Sequence, residues 1–162
     1  MRNMNLQRAV EMFMQAGEMS TSGFNAEQAC LYTGLQLEEM AEKIEAVATG
    51  CISAVEQASL LNLVSALTHF ANEFKAGKHR GDILRADREA LIDADIDLAW
   101  VSLGSSFSMA DDTHGAIHEV ARANLDKFPD GVVLRDENGK IKKPDGWRGP
   151  DLSPFFTPAS RD

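Results

Sequence analysis

Three glutamates fall within five residues at Glu38-Glu39-Met40-Ala41-Glu42, and three aspartates do the same at Asp93-Ala94-Asp95-Ile96-Asp97. Residues three and four apart share a helix face, so on a helix Glu42 neighbours both Glu38 and Glu39. Asp93 and Asp97 point the same way, and Asp95 points elsewhere. Like charges so placed repel by roughly a few tenths of a kcal/mol per pair. The first set lies between Leu37 and Ile44. The second runs into Leu98-Ala99-Trp100-Val101-Ser102-Leu103-Gly104, which reads as buried, with Trp100 in the core. An acid beside a buried run is expected to be paired or to hold a cation. Carboxylate oxygens are hard ligands and suit Mg²⁺ or Mn²⁺. Two helices that each present acids inward can build an oxygen-lined site, where an ion binds phosphate oxygens and activates a water. The alternative is solvated helix acids, the expectation for most of the 25 Asp and Glu. Two such clusters on neighbouring long helices weigh against it for these five.

The elements that must position them are legible from period and punctuation. Leu6, Ala9, Val10, Phe13 and Met14 recur at helical spacing and predict a first helix over 6–18, ended by Gly17 and the Ser20-Thr21-Ser22-Gly23 cluster. Asn25 with Gln28 makes a capping-box-like start for a helix over 26–48, broken by Gly50. Gly34 inside it costs about 1 kcal/mol relative to Ala and marks a close helix contact or a distortion. A third helix fits 53–75, and Gly77 and Gly81 bracket a basic turn after it. A fourth is expected over 82–109. Asp111 and Asp112 then cap a fifth that reaches about Phe128, where Pro129 stops it. Beyond it, Val132-Val133-Leu134 and Lys140-Ile141-Lys142 flank Glu137-Asn138-Gly139, a hairpin signal. The rest of the tail is rich in Gly and Pro and reads as ordered loop. The expectation is an all-α bundle of four to five helices over 1–128, with 129–162 a hairpin and loop extension of the same domain.

Composition bounds the function. The 162 residues suffice for one domain with a core. A net charge of -9 argues against a grip on nucleic-acid backbone, which needs clustered Lys and Arg. An anionic nucleotide is still compatible where metal ions bridge it to the acids. No apolar run reaches the roughly 20 residues of a membrane span, and the first residues carry no signal-peptide core. Cys30 and Cys51 match no metal or redox spacing and are expected to be small buried residues, reduced in a cytoplasm.

The ordered motifs resemble a known family. Leu37-Glu38-Glu39-Met40-Ala41-Glu42 resembles the first motif, ExxE, of the all-α NTP pyrophosphohydrolases, the MazG-like and phosphoribosyl-ATP pyrophosphohydrolase-like proteins. Asp97 to Gly104 resembles the second, in which Asp is followed by an apolar helix and Gly. The segment from His118 to Phe128 is similar to the stretch with an Asn and a Lys near the phosphates. Gly139-Lys140-Ile141-Lys142-Lys143-Pro144 and Trp147-Arg148-Gly149-Pro150-Asp151-Leu152 resemble the tail of phage-type members. The resemblance spans about 24–152. It departs in one place. The usual second motif is ExxD, but Ala94 stands three before Asp97, and the nearest acid, Asp93, stands four before.

The resemblance implies cleavage of a nucleoside triphosphate between the α and β phosphates, to a monophosphate and pyrophosphate. It implies Mg²⁺ or Mn²⁺, two or three ions to a site, and a homodimer or homotetramer in the cytoplasm, the host's if the chain is phage-encoded. Carried over by motif, Glu39, Glu42, Asp93 and Asp97 are the metal ligands, and Glu38 is a further ligand or the base that orients water. Asn124 and Lys127 hold phosphate or sugar. Lys140 and Lys143 are candidates for the polyphosphate, and Trp147 for a base. Each has a plainer alternative: a helix-terminal lysine for Lys127, solvated hairpin charges for Lys140 and Lys143, a tail anchor for Trp147. Some phage members act on dGTP, so a purine deoxynucleotide is the first expectation, with dUTP or dCTP next and phosphoribosyl-ATP a further possibility. The competing class is a non-catalytic helical protein that binds a partner through its apolar stripes.

Overall fold

A computed structural model describes residues 5–137 and 139–158. Asn138, the centre of the expected hairpin turn, lies outside them. The described residues are all-α: six α-helices, two three-residue 3₁₀ helices and no strand. Among the described residues no helix is long and apolar enough to cross a membrane. Helix α1 spans Leu6–Ala16, α2 Ala26–Ala48, α3 Ala54–Lys75, α4 Arg80–Arg85, α5 Arg88–Phe107 and α6 Thr113–Leu125. Side-chain caps fix most of the starts. Asn25 Oδ1 accepts from the Gln28 N–H at 3.0 Å, Asn5 from Arg8 and Asp112 from Gly115, each at 2.8 Å.

The predicted fourth helix is two helices. Ala86 leaves α4 in an extended conformation, and Asp87 caps a new helix by accepting from the N–H groups of Glu89 and Ala90. A short acid directly before a helical run is an N-cap signal, and here it overrides the continuous apolar period across the break. In place of the full hairpin stands an isolated antiparallel bridge between Arg135 and Ile141.

The chain divides into two compact units. The first holds residues 22–86 and 136–140. In it α2 and α3 run antiparallel, joined by a short connection, and their seam is made of small residues. Cys30, Ala41, Ala48 and Ala71 are buried, and Ile83 of α4 is buried with them. Cys30 donates its S–H to the Phe74 carbonyl at 3.2 Å. Gly34 is a close-contact position: a Cβ there would stand 2.8 Å from the Ala71 carbonyl oxygen and 2.9 Å from the Lys75 nitrogen. Only glycine lets the backbones approach so nearly. Cys51, expected to be buried, is half-buried instead.

The second unit holds residues 1–21, 87–135 and 141–162. Helices α1 and α6 pack together, with Ala9, Ala121 and Ala123 buried, and Phe128, three residues past α6, is buried with its ring 5.2 Å from that of Phe13. The tail is tied to α6. Arg122 bonds both oxygens of Glu119, at 2.9 and 2.6 Å, and Glu119 also accepts from the Asp151 N–H at 3.1 Å. The Arg122 hydrogen bonds, then that from Asp151, hold the Glu119 carboxyl down at about 2. The Phe155 carbonyl accepts from the N–H groups of Asp111 and Asp112.

Helix α5 contradicts the expected core. None of its residues is buried. Trp100 is 79% exposed and Ile96 65%, and Ile92, Leu98, Val101 and Phe107 are exposed too. The apolar run that reads as buried lies on the surface of this chain. Its residues are spread around the helix.

Candidate functional site

Helix α2 carries Glu38 half-buried and Glu39 and Glu42 exposed. Glu38 and Glu42, one turn apart, line a cavity of about 190 Å³ against α3, together with Glu45, Thr68, Asn72 and Lys75. Gly34 lies one turn before Glu38, and the close approach it permits brings the end of α3 onto this face. Lys75 Nζ donates to Glu38 Oε1 at 2.9 Å, with the Lys75 side chain only 13% exposed. Lys140 Nζ donates to the other oxygen, Oε2, at 2.8 Å.

Lys140 is placed by its own turn. Asp136 Oδ1 accepts from the Lys140 N–H at 3.0 Å, the Asp136 N–H donates to the Lys140 carbonyl at 2.9 Å, and Gly139 takes φ 80°, which glycine adopts readily. Both oxygens of Glu38 are therefore engaged by ammonium groups. Burial pushes the Glu38 carboxyl up, but the hydrogen bonds from Lys140 and Lys75 outweigh it and hold the carboxyl below its ordinary value. A carboxylate held ionised in this way is a poorer proton acceptor than an ordinary one.

Asp93 and Asp97 belong to the other unit, on exposed stretches of α5. An exposed groove there is lined by Asp93 with Asp87, Arg88, Glu89, Ile92 and Ile96. The donor chemistry of Glu38, Glu39 and Glu42 suits a hard divalent cation. The arrangement does not: among the described residues no group of three or more His, Cys, Asp or Glu side chains gathers to hold a metal ion. What stands at Glu38 is a pair of lysines.

Four residues expected at the substrate do come together, in the second unit. Lys127 Nζ donates to Asn124 Oδ1 at 2.7 Å, one helical turn apart. The same ammonium lies 5.4 Å from the Trp147 ring centre and 5.7 Å from that of Phe13. Lys143 Nζ lies 4.7 Å from the Trp147 ring. Two cations on one indole are a favourable electrostatic arrangement. The Trp147 ring N–H donates to the Ala123 carbonyl at 2.6 Å, so this residue fastens the tail to α6. Lys140 is not in this cluster; it belongs with Glu38.

Lys75 was not among the residues named from the motifs. It lies 37 positions beyond Glu38, and no local spacing connects them. The usable signal was Gly34, a helix-interior glycine that required a partner backbone one turn from the first glutamate. The chain matches no family model, no curated protein and no solved structure.

Proposed function

We propose that the chain is a nucleoside triphosphate pyrophosphohydrolase that requires Mg²⁺ or Mn²⁺, cleaving a (d)NTP between the α and β phosphates. The observation that supports it is the cavity where the acidic face of α2 meets Lys75, with Lys140 on the other oxygen of Glu38. Phosphoryl transfer is mostly positioning and charge neutralisation. Lysines supply point charges for phosphate, and carboxylates hold hard cations. In this reading Glu39 and Glu42 enter as cation ligands, and Glu38 as a further ligand or the base, through the resemblance and their donor chemistry, not through their arrangement. Asp93 and Asp97 enter as further ligands through the resemblance alone. Asn124, Lys127 and Lys143 serve phosphate or sugar, and Trp147 stacks on a base as well as anchoring the tail. A purine substrate, dGTP or GTP, stands first, ahead of dUTP, dCTP and phosphoribosyl-ATP.

A homo-oligomer in a cytoplasm belongs to the same proposal. Helix α5 exposes large apolar residues, Ile92, Ile96, Trp100 and Val101 among them, and in this reading a second copy covers them. Light scattering that finds only monomer would remove that part. The second reading, a non-catalytic interaction protein, draws its support from the same exposed face of α5.

A panel of nucleotides with Mg²⁺ or Mn²⁺, assayed for pyrophosphate, tests the proposal. Release from at least one (d)NTP is expected. Failure of every nucleotide, by a folded protein with either metal, sinks it.

A further inference from the structure

We infer that α5 pairs with itself: two copies of the chain associate through antiparallel α5 helices, along the stripe Ile92, Ile96, Ala99 and Leu103. This rests on the homo-oligomer part of the proposed function and adds the face, the orientation and the register. None of the residues of α5 is buried. The four members of the stripe share roughly 60° of arc on a helix of 3.6 residues per turn. Trp100 and Phe107 border it on one side.

Spacing makes the stripe its own complement. Its residues stand four, three and four apart, so it is the same in both directions. A twofold interface requires such a patch, because each copy presents the same surface. Turned antiparallel about the midpoint, Ile92 meets the partner's Leu103, and Ile96 meets the partner's Ala99. The small alanine opposite Ile96 lets the two helices close to about 8–10 Å between axes.

Charge sets the orientation. Glu89, Asp93, Asp95 and Asp97 fall in the first half of α5, and 98–107 carries no charge of either sign. Parallel pairing would set each acid level with its own copy. Antiparallel pairing sets them level with uncharged residues. It also brings Arg88 to the last turn of the other helix, which has no basic residue of its own and where the helix dipole favours a cation.

The surface is large enough. Ile92 is 57% exposed and Phe107 55%, with Ile96 and Trp100 more so. These four side chains offer roughly 500 Å² per copy, an aromatic residue spanning about 150–250 Å². Two copies bury about 1,000 Å² from them alone, and Ala99, Leu103 and the polar flanks carry the total into the range of about 1,200–2,000 Å² of a stable interface. The exposed groove over Ile92 and Ile96, about 620 Å³, lies level with the partner's Leu103 and the partner's Trp100. Asp93 lines that groove and offers the incoming indole N–H an acceptor.

Light scattering of the full chain is expected to find a dimer. Ile96→Glu and Trp100→Glu alter exposed side chains and are expected to weaken it on the order of 100-fold, with the helical circular dichroism unchanged. Val55→Glu, at an exposed apolar position of α3, is expected to leave it intact. Oxidation in a Cys51→Ser background reads the orientation. Ile92→Cys combined with Leu103→Cys is expected to give a covalent dimer. Ile92→Cys alone is not, because its two copies lie about 16 Å apart along the axes. Covalent dimer from Ile92→Cys alone means parallel pairing and overturns the inference. A dimer that survives both glutamates associates elsewhere, which overturns the inference and leaves the homo-oligomer standing. A wild-type monomer overturns both, and pyrophosphate release by that monomer keeps the hydrolase reading. Where a glutamate variant unfolds, the oxidation result decides.

Discussion

Replacement of Gly34 by alanine tests the packing on which the cavity depends. In isolation the change favours the helix, by about 0.5–1 kcal/mol, because alanine loses less backbone freedom than glycine. In this structure the new Cβ would meet the Ala71 carbonyl oxygen at 2.8 Å and the Lys75 nitrogen at 2.9 Å, both α3 backbone atoms. Backbone cannot rotate aside as a side chain can. To restore about 3.4 Å, α3 must withdraw from α2 by roughly half an ångström, against a seam of small buried residues. Overpacking of this kind costs about 1–3 kcal/mol. The net expectation is a loss of about 1–2 kcal/mol. Gly104→Ala is the control, since nothing lies within 4 Å of a Cβ at that helical position; it should gain about 0.5 kcal/mol. Urea denaturation followed by circular dichroism separates the two, with midpoints on the order of 1 M apart for a slope of about 1–3 kcal/mol per M. Equal stabilisation by both substitutions would refute the close approach, and with it the placement of Lys75 against Glu38.

Three further outcomes are expected. Asp97→Asn and Glu42→Gln alter exposed side chains, so each should change stability by less than about 0.5 kcal/mol while abolishing pyrophosphate release; full turnover in either removes that residue from the site. The Glu119 carboxyl sits at about 2 in the folded chain against 4.5 ordinarily, so its pairing stabilises fully above about pH 4.5 and fades as pH falls toward 2. The melting-temperature gap between wild type and Glu119→Gln should therefore hold from pH 7 to 5 and narrow steadily below about pH 4.5, and a gap as wide at pH 2.5 as at pH 7 contradicts the assignment. Trp147→Phe keeps a ring but removes the donor to the Ala123 carbonyl, at a cost of about 1 kcal/mol; an unchanged denaturation midpoint counts against the anchor.

Helix boundaries were legible where caps are chemical. Asn25, Ser53 and Asp112 each accept from a backbone N–H two or three residues into the helix, and a short polar residue before an apolar period announces that. The break at Asp87 carries the same signal and was hidden by the run of apolar period on both sides of it. Burial was read less well. Leu98 to Gly104 has the composition of a core, but composition reports what a segment would bury, not whether one chain supplies the cover. Trp100 is the clearest case, apolar by type and 79% exposed in fact. The acidic face of α2 was visible from spacing alone, because helix period fixes which glutamates are neighbours. Its partners were not. Lys75 and Lys140 reach Glu38 from 37 and 102 positions away, and only the packing of α3 and the turn at 136–140 decide that they arrive.

That arrangement is informative because cations are scarce in this chain. It has 16 Lys and Arg for 25 Asp and Glu, yet two of the lysines converge on one carboxylate while Glu42 and Glu45 line the same cavity. An economical surface would spread them, since exposed ion pairs contribute little each. Concentration on Glu38 does something spreading does not: both oxygens of one half-buried carboxylate accept from ammonium groups, at 2.9 and 2.8 Å, and together these hold the carboxyl below its ordinary value despite its burial.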